Sequence, residues 1–159
     1  MKRAFLVLIS LLLLLSLAAC GDGKRPCIDV YRLGPQASGL GYGLVSESVA
    51  LEPGISPLSY IIGIINAEPK QQGIKKPLPE GIYIIAFEKQ GKTLTLKLSG
   101  GLNDIHGPQR ALAEAALIMT FTDFSDIELV SMEEGGRLIM NPRGKNSILF
   151  EDTSIIIEK

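Results

Sequence analysis

Residues 82–98 read IYIIAFEKQGKTLTLKL. Thr93, Leu94, Thr95, Leu96, Lys97 and Leu98 alternate polar and apolar, the pattern of a strand with one wet and one packed face. Ile82 to Phe87 is apolar at every position, so this run is expected to be a central strand covered on both faces. Gln90-Gly91 lies between the two runs at the spacing of a turn, which makes the segment a β-hairpin. A chain built around it must find something to cover its apolar face, and the flanking sequence supplies two helices.

The first helix opens at Ser56-Pro57. Serine can cap exposed amides and proline suits the first helical position. Leu58, Ile61, Ile62 and Ile65 then fall at i, i+3, i+4 and i+7, one apolar stripe, and Pro69 ends the run. The second helix follows Gly107-Pro108, with Leu112, Ala115, Ala116 and Met119 at the same spacing, and ends near Phe121. Residues 67–81, with their prolines and glycines, read as a linker before the hairpin. On the amino-terminal side, Ile28 to Leu33 alternates as a strand, Gly34 to Gly43 reads as a loop, and Leu44 to Leu51 returns as a strand. On the carboxyl-terminal side, residues 127–132 and 137–140 form a further hairpin, and Ile148-Leu149-Phe150 and Ile155-Ile156-Ile157 read as short strands. The expected fold class is α+β, a mostly antiparallel sheet with two helices packed on one face. The last run is expected either to complete that sheet or to offer an edge to a partner.

Residues 1–19 are an address. Lys2 and Arg3 precede an apolar run from Ala4 to Leu15, too short for a comfortable membrane span, and small residues follow at Ala18 and Ala19. A short transmembrane anchor is the alternative. Leu17-Ala18-Ala19-Cys20 resembles a bacterial lipobox, which implies a diacylglyceryl group on the sulfur of Cys20 and cleavage before it. The chain is therefore expected to divide into a signal peptide (1–19), a polar tether (20–27) and one domain (28–159), held at the extracytoplasmic face of the cell membrane by its acyl chains. Without Lys2 and Arg3, fourteen basic residues face seventeen acidic ones. This mild acidity, with no basic patch carrying aromatics, excludes a nucleic-acid partner.

The residue inventory is poor in chemistry. With Cys20 lipidated, Cys27 has no partner for an intrachain disulfide. It is expected to stay unpaired or to bridge between chains. One thiol and His106 cannot build a zinc shell, so no metal site is expected. A catalytic triad would have to use His106 with the nearby Asp104, both in a turn before a helix. The carboxylates Asp123, Asp126, Glu133, Glu134, Glu151 and Asp152 fall in turns where solvated acids are common, and an Asp123–Glu128 calcium loop lacks the glycine and spacing of an EF-hand. Gly39-Leu40-Gly41-Tyr42-Gly43 imitates a phosphate loop without a following helix. No cofactor and no catalytic residue is expected.

From Pro57 to Arg137 the pieces also resemble, in order, the GerMN domain of sporulation and germination lipoproteins of Gram-positive bacteria. They are the capped helix with Leu58 and Ile61, Pro77-Leu78-Pro79-Glu80-Gly81 before a strand, Gly91-Lys92-Thr93-Leu94-Thr95-Leu96, Gly107 before a long helix, Ala115 to Phe124, and Ile127 to Val130. The chain departs from the family at Asn66-Ala67-Glu68-Pro69, where a Gly-Pro turn is usual, and at Lys97, where aspartate is common. From Asn141 onward there is no resemblance. The resemblance implies a layout similar to the ring-building motif and a non-enzymatic module of envelope assembly, sporulation or germination, with a protein partner or self-association. A small-ligand or cell-wall-glycan binding lipoprotein is the alternative, and a pocket of several hundred Å³ is the feature that would favour it.

Overall fold

The computed structural model describes residues 26–35, 41–151 and 157–158. The signal segment, Cys20, most of the tether, and Ile155 and Ile156 lie outside them. The strands divide between two sheets that share one hydrophobic core. The first sheet has the order β1-β2-β7, from β1 (Cys27–Pro35), β2 (Tyr42–Ala50) and β7 (Ile157–Glu158). The second has the order β3-β4-β5-β6, from β3 (Ile84–Gln90), β4 (Thr93–Leu98), β5 (Leu129–Glu134) and β6 (Arg137–Arg143). The β1–β2, β3–β4 and β5–β6 pairs are antiparallel, while β4–β5 and β2–β7 run parallel. The architecture is α+β and mostly antiparallel, with two sheets in place of the one expected.

Local chemistry accounts for the elements. In β4, Leu94, Leu96 and Leu98 are buried and alternate with half-buried Thr93, Thr95 and Lys97, as the period-two pattern requires. The β3–β4 loop is Gly91-Lys92, and Gly91 supplies the positive φ (58°) that a two-residue hairpin loop needs at its first position. At β5–β6, Gly135 and Gly136 (φ 54° and 80°) provide positive φ at both central positions, the requirement of a type I′ turn. Helix α1 (Pro57–Asn66) buries Ile61 and Ile65 on its predicted stripe. Ser56 contributes its carbonyl, which accepts the Tyr60 N–H at 2.9 Å, and its side chain makes no capping bond. Helix α2 (Pro108–Phe121) is buried from Ala115 to Phe121, and Phe121 stacks with Phe124 at 6.5 Å between ring centres.

Several expectations are corrected. Residues 148–150, read as a strand, belong to a short helix α3 (Lys145–Glu151) that buries Ile148. Three consecutive apolar residues are too short a run to show a period, so strand and helix could not be told apart there. β3 is an edge strand, not a central one: apart from buried Ile84 its residues are exposed. β1 and β2 extend through Gly34↔Gly43 to Pro35↔Tyr42, so the glycine-rich segment expected as loop is partly strand, and residues 36–40 are outside the described set. At the carboxyl terminus, Ile157 and Glu158 pair with Leu44 and Val45, so the tail joins the domain's own sheet.

Candidate functional site

Two surface features stand out: a cleft over the first sheet and the outer edge of the second. The cleft forms where α1 ends above β1 and β2 and the linker begins. Arg32, midway along β1, is 4% exposed. It reaches up so that Nη2 donates to the Ile64 carbonyl at 3.0 Å, in the last turn of α1. Helix α1 has no basic residue of its own in that turn, so a strand across the interface delivers the cation that the carbonyl end of a helix favours. Arg32 Nε donates to Glu47 Oε2 at 3.2 Å, and the Glu47 side chain is 62% exposed. Arg32 Nη1 is buried and has no hydrogen-bond partner among the described residues. Around the guanidinium lies a cleft of about 520 Å³, with Val45, Val49, Tyr60, Ile64 and Ile74 as apolar wall and Ser46, Lys70 and Gln71 as polar lining. Periodicity puts Arg32 on the same face as Ile28 and Val30, where a charged residue reads only as a break in the apolar pattern, and nothing along the chain names the helix end that receives it.

The sheet edges are treated differently. The outer edge of β1 is closed. Its Asp29, Tyr31 and Leu33 amides donate to Asp123 Oδ2 (2.8 Å), Thr120 Oγ1 (2.9 Å) and the Lys75 carbonyl (3.1 Å). On β3 only the first residue is closed. The Asn66 side chain donates to the Ile84 carbonyl at 2.9 Å and accepts its N–H at 3.0 Å, an amide standing in for a neighbouring strand. Beyond a bulge between Ile84 and Ala86, β3 continues with an outer edge unpaired among the described residues. Ile85 is 67% exposed, and Tyr83 and Phe87 are exposed beside it. Lys89 pairs with Asp126 at 3.0 Å and Glu88 with Lys97 at 3.6 Å, so the charges near the turn are held on the sheet's own faces.

Three of the acidic residues singled out in the sequence, Asp123, Asp126 and Glu134, have structural partners, while Asp152 and the side chain of Glu151 lie outside what is described. Asp123 takes the Asp29 amide. The hydrogen bond from Lys89 holds the Asp126 carboxyl below its ordinary range. Glu134 accepts the Leu102 amide at 2.6 Å and the Asn103 amide at 3.3 Å, closing a 3₁₀ turn at Leu102–Asp104. Asp104 and His106 are both exposed, and no serine is brought to them by a hydrogen bond among the described residues. Glu114 on α2 binds Arg110 at 2.8 Å and Arg143 at 3.8 Å, tying β6 to the helix. Burial raises the Tyr31 hydroxyl pKa, reinforced by the negative charges of Asp29 and Asp123. Among the described residues no group of three or more His, Cys, Asp or Glu side chains could hold a metal ion. No helix there is long and apolar enough to cross a membrane.

No family model matches this sequence, and no curated protein matches it. Solved structures do. The tandem GerMN domains of the sporulation protein GerM from Bacillus subtilis superpose with a TM-score of 0.58 at 16% identity, over 80% of this chain and 48% of that one. The first GerMN domain of the same protein superposes with a TM-score of 0.58 at 15% identity, over 76% of this chain and 96% of that one. The chain thus spans about half of the tandem structure and nearly all of the single domain. Its fold is GerMN-like, as the order of its sequence motifs implied.

Proposed function

We propose that this protein is an extracytoplasmic lipoprotein, tethered to the cell membrane through Cys20, that works by surface contact with a protein partner or with further copies of itself. The setting is cell-envelope assembly linked to sporulation or germination. One observation carries the reading: beyond Ile84, β3 presents a backbone edge unpaired among the described residues and flanked by exposed Ile85, Phe87 and Tyr83. An extended segment can add to such an edge through main-chain hydrogen bonds, while neighbouring apolar side chains give it area to bury. The GerMN-like fold and the lipobox supply the envelope context.

The test is cross-linking of the membrane-tethered chain followed by recovery of what is attached, beside an Ile85→Lys, Phe87→Lys double variant. Both residues are exposed, so the variant is expected to fold normally while losing its attached protein. Equal recovery from both proteins refutes the reading, as does recovery of nothing while the domain binds a muropeptide. A second reading, binding of a small ligand or wall glycan, is favoured by the cleft over Arg32. Its volume of about 520 Å³ is within the range of ligand sites.

A further inference from the structure

We propose that the cleft over Arg32 binds a small organic monocarboxylate carried on an apolar body. This rests on the small-ligand reading and gives that ligand its chemistry. A guanidinium offers five donors in a planar fork. Here Nε is used by Glu47 and Nη2 by the carbonyl end of α1, while Nη1 is buried without an acceptor among the described residues. Leaving a buried charged donor unmatched is costly, and an acceptor oxygen brought by a ligand removes that cost.

The walls and the charge balance define the rest of the molecule. Val45, Ile74 and Tyr60 line the same cleft, so a bare inorganic anion would leave apolar surface uncovered that a hydrocarbon body fills. Glu47 already neutralises part of the Arg32 charge, which disfavours a dianion. Its contact is single and its side chain is mostly in water, so it can yield to an incoming carboxylate. Lys70 is exposed on the lining with no ion pair among the described residues and adds a second cation there, while the other lining carboxylate, Glu68, is held by Lys76 at 2.7 Å. Two sources share this chemistry: the free carboxyl terminus of a short peptide and a short branched aliphatic acid.

The full chain, ¹⁵N-labelled in lipid nanodiscs, is titrated with acetyl-Ala-Ala, with 4-methylpentanoate, with the neutral amide of each, and with chitotriose. At least one acid is expected to shift the Arg32 Nε–H and the Tyr60 and Ile64 amides saturably in the millimolar range. Its amide is expected to bind about tenfold more weakly, the worth of one charge-assisted hydrogen bond. A response to acetyl-Ala-Ala alone identifies a peptide terminus, and a response to 4-methylpentanoate alone identifies an aliphatic acid. Glu47→Gln leaves the Arg32–Ile64 bond in place and removes the competing anion, so it is expected to tighten acid binding several-fold. A purely structural Arg32 would not respond in this way. The proposal is overturned if neither acid shifts these signals, if acid and amide bind equally, or if Glu47→Gln fails to tighten binding. A chitotriose response without an acid response overturns it while sparing the small-ligand reading, and silence from every probe overturns both.

Discussion

Replacing Thr120 by valine tests how α2 is joined to the first sheet. Thr120 is fully buried, and its Oγ1 accepts the Tyr31 N–H at 2.9 Å. Valine keeps the shape and removes the acceptor, so the amide stays in the interior with nothing to bind. The cost of such an orphaned donor is about 1–3 kcal/mol. For a domain of this size each kcal/mol lowers the melting temperature by about 3–5 °C, giving a fall of roughly 3–15 °C. Asp123→Ala removes the neighbouring bond to the Asp29 amide, which is exposed, so water replaces the lost oxygen. It is expected to cost only about 0.5–1.5 kcal/mol. Urea unfolding gives the energies, and amide exchange locates them: the Tyr31 amide should lose protection in Thr120→Val and keep it in Thr120→Ser. If Thr120→Val matches the parent protein in both measurements, α2 is not held to the sheet by this bond, and the account of the closed β1 edge is wrong.

Other perturbations follow from the same structure. Asn66→Ala removes both bonds that close the start of β3, with an expected loss of about 1–2 kcal/mol and faster exchange at the Ile84 amide. Phe121→Ala deletes a fully buried ring for about 3–5 kcal/mol, a large share of the 5–15 kcal/mol typical of a domain, and urea midpoints will show it. Asp126 and Glu88 have lowered pKa values, held down mainly by hydrogen bonds from Lys89 and Gln90 respectively. Their folded forms therefore favour the charged state. The stability they contribute is present above their ordinary values of 3.8 and 4.5 and is lost as pH falls through the lower folded values. Melting curves of Asp126→Asn and Glu88→Gln should accordingly lose less stability than the parent on acidification. Cys20→Ala should move the protein from the membrane fraction to the soluble or extracellular one, and immunoblotting of fractions checks this.

The parts of the fold that showed in the sequence are those whose cause is local. Helix α1 was legible because Pro57 and the spacing of Ile61 and Ile65 lie within a few turns of one another. The β3–β4 hairpin was legible because Gly91 and the alternation of β4 specify a turn and a wet and a dry face. The apolar run at 148–150 misled, because three residues carry no period and α3 is set by what it packs against. β3 misled for a related reason. An all-apolar strand is usual in a sheet interior, but here that surface lies at an outer edge beside Asn66.

The sequence by itself determined the lipobox-like motif, the two longer helices, the hairpin turns and an α+β class, since each is written in neighbours along the chain. Tertiary structure decided the rest. The parallel pairing of β4 with β5 brings Thr95 beside Ser131, 36 positions away. Arg32 became a buried cap for a helix 32 positions away, and β3 was left as an edge strand, its outer side unpaired beyond Ile84 among the described residues. Patterning specifies how much apolar surface each element must bury. Which partner buries it depends on backbone hydrogen bonds and packing between distant segments, and these exist only once the chain has closed on itself.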